Sequence, residues 1–388
     1  MHTPFRPGNH LTLLNSGHEY FPALMAAIDA AQTEIFIETY LFADDNTGQA
    51  VGAALSRAAQ RGVSVRLLID GFGGGDFSET LMAPLLAEGV QVMIYRPEVA
   101  RFRLRRRRLR RLHRKLVVID GCTGFVGGIN IIDDLNTPHQ IPPRFDYAVR
   151  VEGPLVADML HAVRRLWEVV VWANLKRRFR LDNNALPACP ERPQGTQNAA
   201  FVLRNNIRHR RDIEDAYIDA ILASQREILI ASAYFLPGRR FRRILLGAAR
   251  RGVKVIILLQ GRVEYRLLHY ATQAIYGQLL SHGVRIVEYQ KSFLHAKVAV
   301  IDDHWATVGS SNIDPFSLLL SKEANIVVRD RVFAGQLRAS LHHAMSDGAK
   351  ELDHGAWHRR WWGARMLSWA CYQLARLLID VAGYGRHH

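Results

Sequence analysis

The chain has 388 residues, 48% of them apolar, and its 51 Lys and Arg against 36 Asp and Glu give a formal charge of +15. That length accommodates about two ordinary domains with cores of their own, and the apolar fraction excludes a disordered chain. The cationic excess calls for a polyanionic partner, either nucleic acid or an anionic membrane surface.

Read from the N-terminus, MHTPFRPGNHLTLLNSG carries no basic segment ahead of an apolar core, so no signal peptide is expected. No later stretch reaches the ~18 uninterrupted apolar residues that span a bilayer, so any membrane contact should be peripheral. HEYFPALMAAIDAAQ has apolar residues three and four apart, which predicts a helix leading into the strand EIFIETYLF (34–42). Further strands are expected at RGVSVRLLIDG (61–71) and EGVQVMIYR (88–96), with DGFGGGDF (70–77) read as a flexible loop. RPEVARFRLRRRRLRRL follows, in which eight arginines lie between Arg101 and Arg111, and then the strand HRKLVVID (113–120). LWEVVVWANLKRRF (166–179) is amphipathic and expected to pack in the core. LDNNALPACPERPQGTQNAA (181–200) is rich in Pro, Asn and Gly, lacks periodicity and reads as a linker.

Beyond residue 200 the plan repeats. EILIASAYF (227–235), RGVKVIILLQG (251–261), HGVRIVEYQ (282–290) and HAKVAVID (295–302) match the first-half strands in the same order. The strands are almost continuous Val, Ile and Leu runs, as expected where helices cover both faces of a sheet. The expected fold is therefore α/β: two similar sandwich domains from an internal duplication, related by a pseudo-two-fold axis, with the active site at their interface. The domains are drawn at 1–182 and 201–350, with a linker over 183–200 and a tail over 351–388. Gly89 and Gly283 lie 194 apart but His113 and His295 only 182, so the first half holds 12 extra residues (194 − 182) in its arginine-rich segment. Cys122, Cys189 and Cys371 are too few and too scattered for a disulfide framework or zinc site, and are read as reduced thiols.

The chemistry lies in the repeated His-x-Lys-x-x-x-x-Asp. Side chains two apart on a strand share a face, so His113 projects with Lys115 and His295 with Lys297. Bringing the two strands together gathers two imidazoles and two ammonium groups into a pocket suited to phosphate. Asn130 and Asn312 can donate amide hydrogens there, Gly128 allows close backbone approach, and Ser310 adds a hydroxyl. One neutral histidine can attack phosphorus to give a phosphohistidine, while the other protonates the leaving alkoxide and then deprotonates the acceptor. Asp120 and Asp302 complete the motifs and are grouped with the catalytic residues, although their opposite strand parity also fits a structural role at the turn. Asp146 in RFDYAVRV and Glu323 in SKEANIVV occupy equivalent places and are candidates for orienting the imidazoles. No clustered carboxylates suggest a metal, and no cofactor is expected.

HRKLVVIDGCTGFVGGIN and HAKVAVIDDHWATVGSSN resemble the two HKD motifs of the phospholipase D superfamily. IFIETYLF, DYAVRVEGPLV and GSSNIDPFSLLLSKEANIVV are similar, more narrowly, to bacterial cardiolipin synthases of the shorter B type, over roughly residues 8 to 345. That type lacks the N-terminal membrane-spanning helices of other cardiolipin synthases. The resemblance implies two phospholipase D-like domains and transfer of a phosphatidyl group between two phosphatidylglycerol molecules, giving cardiolipin and glycerol. It also implies His113 and His295 as the catalytic pair, with His113 as nucleophile, and Lys115, Lys297, Asn130 and Asn312 as phosphate ligands. The alternative within the same chemistry is a phosphodiesterase or nuclease that uses water as acceptor. Ala233 stands where relatives often carry proline, which puts the local loop in question.

The arginine-rich insertion would suit a nucleic-acid backbone or anionic headgroups, the latter at about 1 kcal/mol per residue near the surface. The C-terminal WHRRWWGARMLSWACYQLARLLIDVAG (357–383) favours the membrane. On a helix, Leu367, Ala370, Cys371, Leu374, Leu378 and Val381 share one face, with Arg365, Tyr372, Arg376 and Asp380 opposite, the pattern of an interfacial anchor. The rival account is packing on its own domain. The expected partners are anionic phospholipids, namely phosphatidylglycerol and cardiolipin, at the cytoplasmic face of a cell's inner membrane. Neither nucleic acid nor an obligate protein partner is expected.

Overall fold

The structure, a computed structural model, describes residues 4–96, 111–181, 192–205, 209–263, 266–314, 321–358 and 362–381. The first half contributes β1 (Arg6–Asn15), β2 (Glu34–Thr39), β3 (Ser64–Asp70), β4 (Gln91–Tyr95), β5 (Arg111–Leu112), β6 (Leu116–Ile119), β7 (Thr123–Gly127), β8 (Arg144–Phe145) and β9 (Tyr147–Glu152). The second contributes β10 (Gln197–Arg204), β11 (Glu227–Ser232), β12 (Lys254–Gln260), β13 (Arg285–Tyr289), β14 (Phe293–Leu294), β15 (Lys297–Ile301), β16 (Trp305–Gly309), β17 (Ser321–Arg329) and β18 (Ala349–Glu351). Within one sheet the order is β4-β3-β2-β6-β7-β9-β1 and then β10-β17-β16-β15-β11-β12-β13-β18. Outward from the β1–β10 junction the two halves read the same, as a pseudo-two-fold axis requires. The fold is the expected duplicated α/β sandwich.

Burial explains the continuous apolar runs. Every residue of β2 and β11 is buried. Ile35 and Ile37 of β2 pack outward on Leu24 and Leu55 from helices Ser16–Ala30 and Asn46–Gln60. Ile228 and Ile230 of β11 do the same with Leu245 and Leu279. Between these outer cores lies one core shared by the halves. It joins Phe36, Leu116 and Val118 to Leu229, Val298 and Val300, through helices Leu155–Ala173 and Arg331–Gly348. Strands with helices on both faces have no polar side, so alternation disappears from their sequence.

Asp120 and Asp302 act at the strand ends rather than in the site. Asp120 accepts hydrogen bonds from the N–H groups of Gln32, Thr33 and Glu34 at 2.8, 2.8 and 3.0 Å, and Asp302 from those of Gln225, Arg226 and Glu227 at 2.9, 2.8 and 3.0 Å. Burial alone would raise both carboxyls, but these backbone donors outweigh it and hold them below the ordinary range. Each aspartate thus clamps the end of the His-Lys strand to the start of β2 or β11. Their placement among the catalytic residues is corrected.

Other expectations need correction. The linker ends earlier than drawn, because residues from Gln197 onward already pair in β10. Residues 182–191 and 97–110, which hold most of the linker and of the arginine-rich insertion, lie outside the described residues. DGFGGGDF is not a free loop: a helix begins at Gly75 and Phe77 is fully buried against Phe42. Cys122 is disulfide-bonded, whereas Cys371 is free. Scattered cysteines carry no pairing signal in sequence, because pairing depends on Cα proximity that folding creates.

Replacing Asp302 with Ala removes three charge-assisted backbone bonds, so a loss of about 2–4 kcal/mol is expected, read as a lower urea midpoint. A midpoint within error of the parent would show that the aspartate does not clamp the strand.

Candidate active site

Two short parallel ladders build the site, and each joins the halves. In one, Arg111 and Leu112 of β5 pair with Ser321 and Lys322 of β17. In the other, Phe293 and Leu294 of β14 pair with Arg144 and Phe145 of β8. His113 and His295 come next on their strands, and their N–H groups donate to Lys322 O (3.0 Å) and Phe145 O (2.8 Å). Glu323 and Asp146 come next on the opposing strands. Nδ1 of His113 therefore meets both Glu323 oxygens, at 3.0 and 3.1 Å, and Nδ1 of His295 meets Asp146 Oδ2 at 2.6 Å. Each imidazole is held by a carboxylate from the other half. A carboxylate accepts only, so Nδ1 carries the proton and Nε2 is the atom left to react.

Lys115 and Lys297 reach back to donate to the carbonyl oxygens of His113 and His295, which brings their ammonium groups beside the rings. The charges of Lys297, Arg144, Lys115 and His113 all act on His295, so both motifs share one pocket. Burial, reinforced by those cations, holds the His295 pKa well below 6.5. Burial also lowers that of His113, with Glu323 opposing. Lys115 is pushed down to about 7 by burial, and Asp146 up to about 6 by burial against the pull of Lys297. At neutral pH both rings are thus neutral and basic.

The remaining expected residues divide. The Asn130 side-chain oxygen accepts from Leu41 N–H at 3.2 Å, so its amino end is the one available to donate to a ligand. Asn312 is buried in the equivalent turn after β16. Ser310 and Gly128 do not line the phosphate pocket as expected. Ser310 is fully buried and donates to Glu323 Oε2 at 2.5 Å. A Cβ on Gly128 would lie 2.3 Å from Asp146 Oδ1. Both positions support an orienting carboxylate instead, because the turns after β7 and β16 run directly beneath those acids.

Three participants carry no motif and were missed. Tyr40 stands edge-on to His113, with centroids 5.2 Å apart, and under Lys115 at 5.3 Å. The segment expected to be loose holds it: a Cβ on Gly73 would lie 2.3 Å from Tyr40 O. Asp70, fully buried, accepts from Leu112 N–H at 2.7 Å and so fixes β5. Arg144 spans the Phe293 ring at 5.4 Å and adds positive charge beside His295. The only hint in the sequence is that Tyr40 and Asp70 end repeated strand segments. Ala233 resolves the question raised about its loop: its N–H donates to Ala296 O at 2.9 Å, a bond proline cannot make.

A family model described as "Cardiolipin synthase, PLD-like domain" matches residues 24–140 and 217–345. Cardiolipin synthase B of Shigella flexneri is 39% identical over 373 residues, covering 93% of this chain and 87% of that protein. Cardiolipin synthase B of Salmonella typhi is 40% identical over 369 residues, covering 92% and 86%. The crystal structure of phosphatidylserine synthase from Haemophilus influenzae Rd KW20 superposes with a TM-score of 0.70 at 14% identity, over 98% of this chain and 97% of that one, which shows the shared fold.

Gly128→Ala should push Asp146 off His295 and lower turnover about a hundredfold or more with little change in melting temperature; near-parental turnover would show that the acid tolerates displacement. The pH profile gives an independent check. Asp146 is charged above about 6 and Lys115 below about 7, so both are charged only in a narrow window. The free-enzyme kcat/KM profile is expected to be bell-shaped around that window. Lys115→Arg should remove the alkaline limb, and an unmoved limb would assign it to another group.

Proposed function

Because the chain belongs to the cardiolipin synthase, PLD-like domain family, we propose that it is a phosphatidyltransferase making cardiolipin and glycerol from two phosphatidylglycerol molecules. The crosswise imidazole–carboxylate pairs carry this reading. Nε2 of His113 attacks the donor phosphorus, forming an N–P bond as the P–O bond to glycerol breaks. Binding of the anionic donor lets His295 take a proton from solvent on Nε2, and His295 gives that proton to the departing glycerol oxygen. His295 then takes a proton from the terminal hydroxyl of the second phosphatidylglycerol. That oxygen attacks phosphorus, forming the new P–O bond and releasing His113. Lys115, Lys297, Asn130 and Asn312 hold the phosphate oxygens throughout. Tyr40 fixes the plane of the nucleophilic ring.

Two surfaces support a peripheral place at an anionic bilayer, and we assign it to the cytoplasmic face of the inner membrane. No described helix is long and apolar enough to cross a membrane. Helix Trp362–Val381 buries Ser368 and Ala375 toward helix Arg266–Leu280, while Met366, Leu367, Trp369, Leu374, Leu377 and Leu378 face outward. The helix packs by one face and exposes apolar side chains on another, which supports the reading of an interfacial anchor. Helix Leu155–Ala173 differs from the expectation of simple core packing. Trp167 and Val171 are buried, but Val169, Trp172 and, just beyond it, Leu175 are exposed beside Lys176, Arg178 and Arg180. Arg164 pairs with Glu34 at 2.6 Å and Trp167 meets Phe36, so the helix advances in the direction of β2, toward the active-site end of the sheet.

Purified protein given phosphatidylglycerol vesicles is expected to release glycerol and form cardiolipin, detected by mass spectrometry. His113→Ala and His295→Ala should each lower the rate by at least about a thousandfold. Phosphatidic acid as the main product would mean that water, not a lipid, is the acceptor. Full activity in either variant would refute the paired mechanism.

A further inference from the structure

Equivalent positions in a duplicated chain stay alike where both halves do the same work. Behind the histidines they diverge. Aligned through the strand registers, Glu38, Arg96, Arg111, Arg114 and Lys322 on the His113 side correspond to Ala231, Gln290, Phe293, Ala296 and Phe145 on the His295 side. One flank of the site is ionic and the other aromatic, with the rings of Phe145 and Tyr289 5.6 Å apart.

The ionic flank is out of balance. Arg114 and Glu38 are buried and paired at 2.7 Å, while Asp70 lies 3.8 Å from Arg111. Arg204 donates to Ser321 O. Lys322 sits among Arg114, Arg96 and Arg204 with Glu38 as the carboxylate acting on it. Among the described residues acting on Lys322, these are three arginines against one carboxylate. Burial, and then the charge of Arg114, pushes Lys322 down to about 8, as expected of a crowded ammonium without enough counter-charge. An excess of partly buried positive charge is relieved when an anion binds. Lys322 and Arg96 are each partly open to solvent, so an anion can reach them.

Position identifies the anion. The Lys322 carbonyl receives the His113 N–H, and Lys322 precedes Glu323, which holds His113. Successive strand residues are about 3.3 Å apart along the chain, so the Lys322 side chain starts beside the residue that holds the imidazole, on the other face of the strand. We propose that Lys322, with Arg96 and Arg114, forms a second phosphate site that takes the phosphodiester of the acceptor lipid while the histidines act on that of the donor. This rests on the transferase reading above.

The test compares acceptors. With phosphatidylglycerol as donor in detergent micelles, Lys322→Met should lower the ratio of cardiolipin to phosphatidylethanol formed in the presence of ethanol by about tenfold or more. Lys322→Arg should largely restore it. Arg96→Gln, which copies the other half at a partly exposed position, should shift the ratio in the same direction. An unchanged ratio in Lys322→Met and Arg96→Gln overturns the proposal. Calorimetric titration with glycerol 3-phosphate gives a readout independent of turnover, with two equivalents expected in the parent and one in Lys322→Met. Equal stoichiometry in the two proteins also overturns it. A parent that binds two equivalents yet makes no cardiolipin keeps the phosphate site and sinks the transferase reading instead.

Discussion

Two ladders of two residues each, β5 with β17 and β8 with β14, are the constraint on which the site depends. Each binds a histidine strand from one half to an acid strand from the other. A slip of one residue would turn the acid to the opposite face and leave the imidazole without its partner. Short parallel ladders hold register poorly by themselves. Here the β1–β10 junction and the shared core fix the halves first, and the ladders inherit that register. Neither His113 nor His295 finds its carboxylate in its own half, so duplication supplied the parts and association made the site.

Charge explains why this arrangement suits phosphate. Lys115, Lys297 and Arg144 face Asp146 and Glu323, three positive charges against two negative, with neutral rings between them. A phosphodiester adds one negative charge to that balance and makes each ring easier to protonate. The substrate itself therefore raises the capacity of one histidine to act as acid, while the other, held at Nδ1, presents its Nε2 lone pair. Burial provides the low dielectric in which these small imbalances matter.

The halves are alike in plan but not in detail, and the differences compensate. The longer Glu323 is braced by the hydroxyl of Ser310, whereas the shorter Asp146 packs on Gly128, where no side chain fits. In both cases the turn after the neighbouring strand sets how far the acid reaches. The outer flanks do not compensate, one being ionic and the other aromatic, which is the asymmetry expected of a site that handles two different groups. Helix Leu155–Ala173 advances from Glu34 toward Phe36 along β2 and leaves Val169 and Trp172 exposed.

Much of this was legible in the sequence. The repeat of His113-x-Lys115 at His295-x-Lys297, the matching strands and the equivalent places of Asp146 and Glu323 sufficed for the fold and for the convergence of the two imidazoles, because strand periodicity assigns side chains to faces before any tertiary contact is known. Parity hinted at a structural role for Asp120 and Asp302, but the backbone bonds that take them out of the pocket came from the tertiary structure. Tertiary structure alone decided which acid serves which histidine, since that pairing crosses between halves that are 210 residues apart for His113 and Glu323. It also decided that Ser310 and Gly128 brace acids, that Tyr40 and Arg144 enter the site, and that Lys322 joins a cluster of arginines. Local patterns record the direction of a side chain; its neighbours depend on register between distant strands, which only the packed core determines.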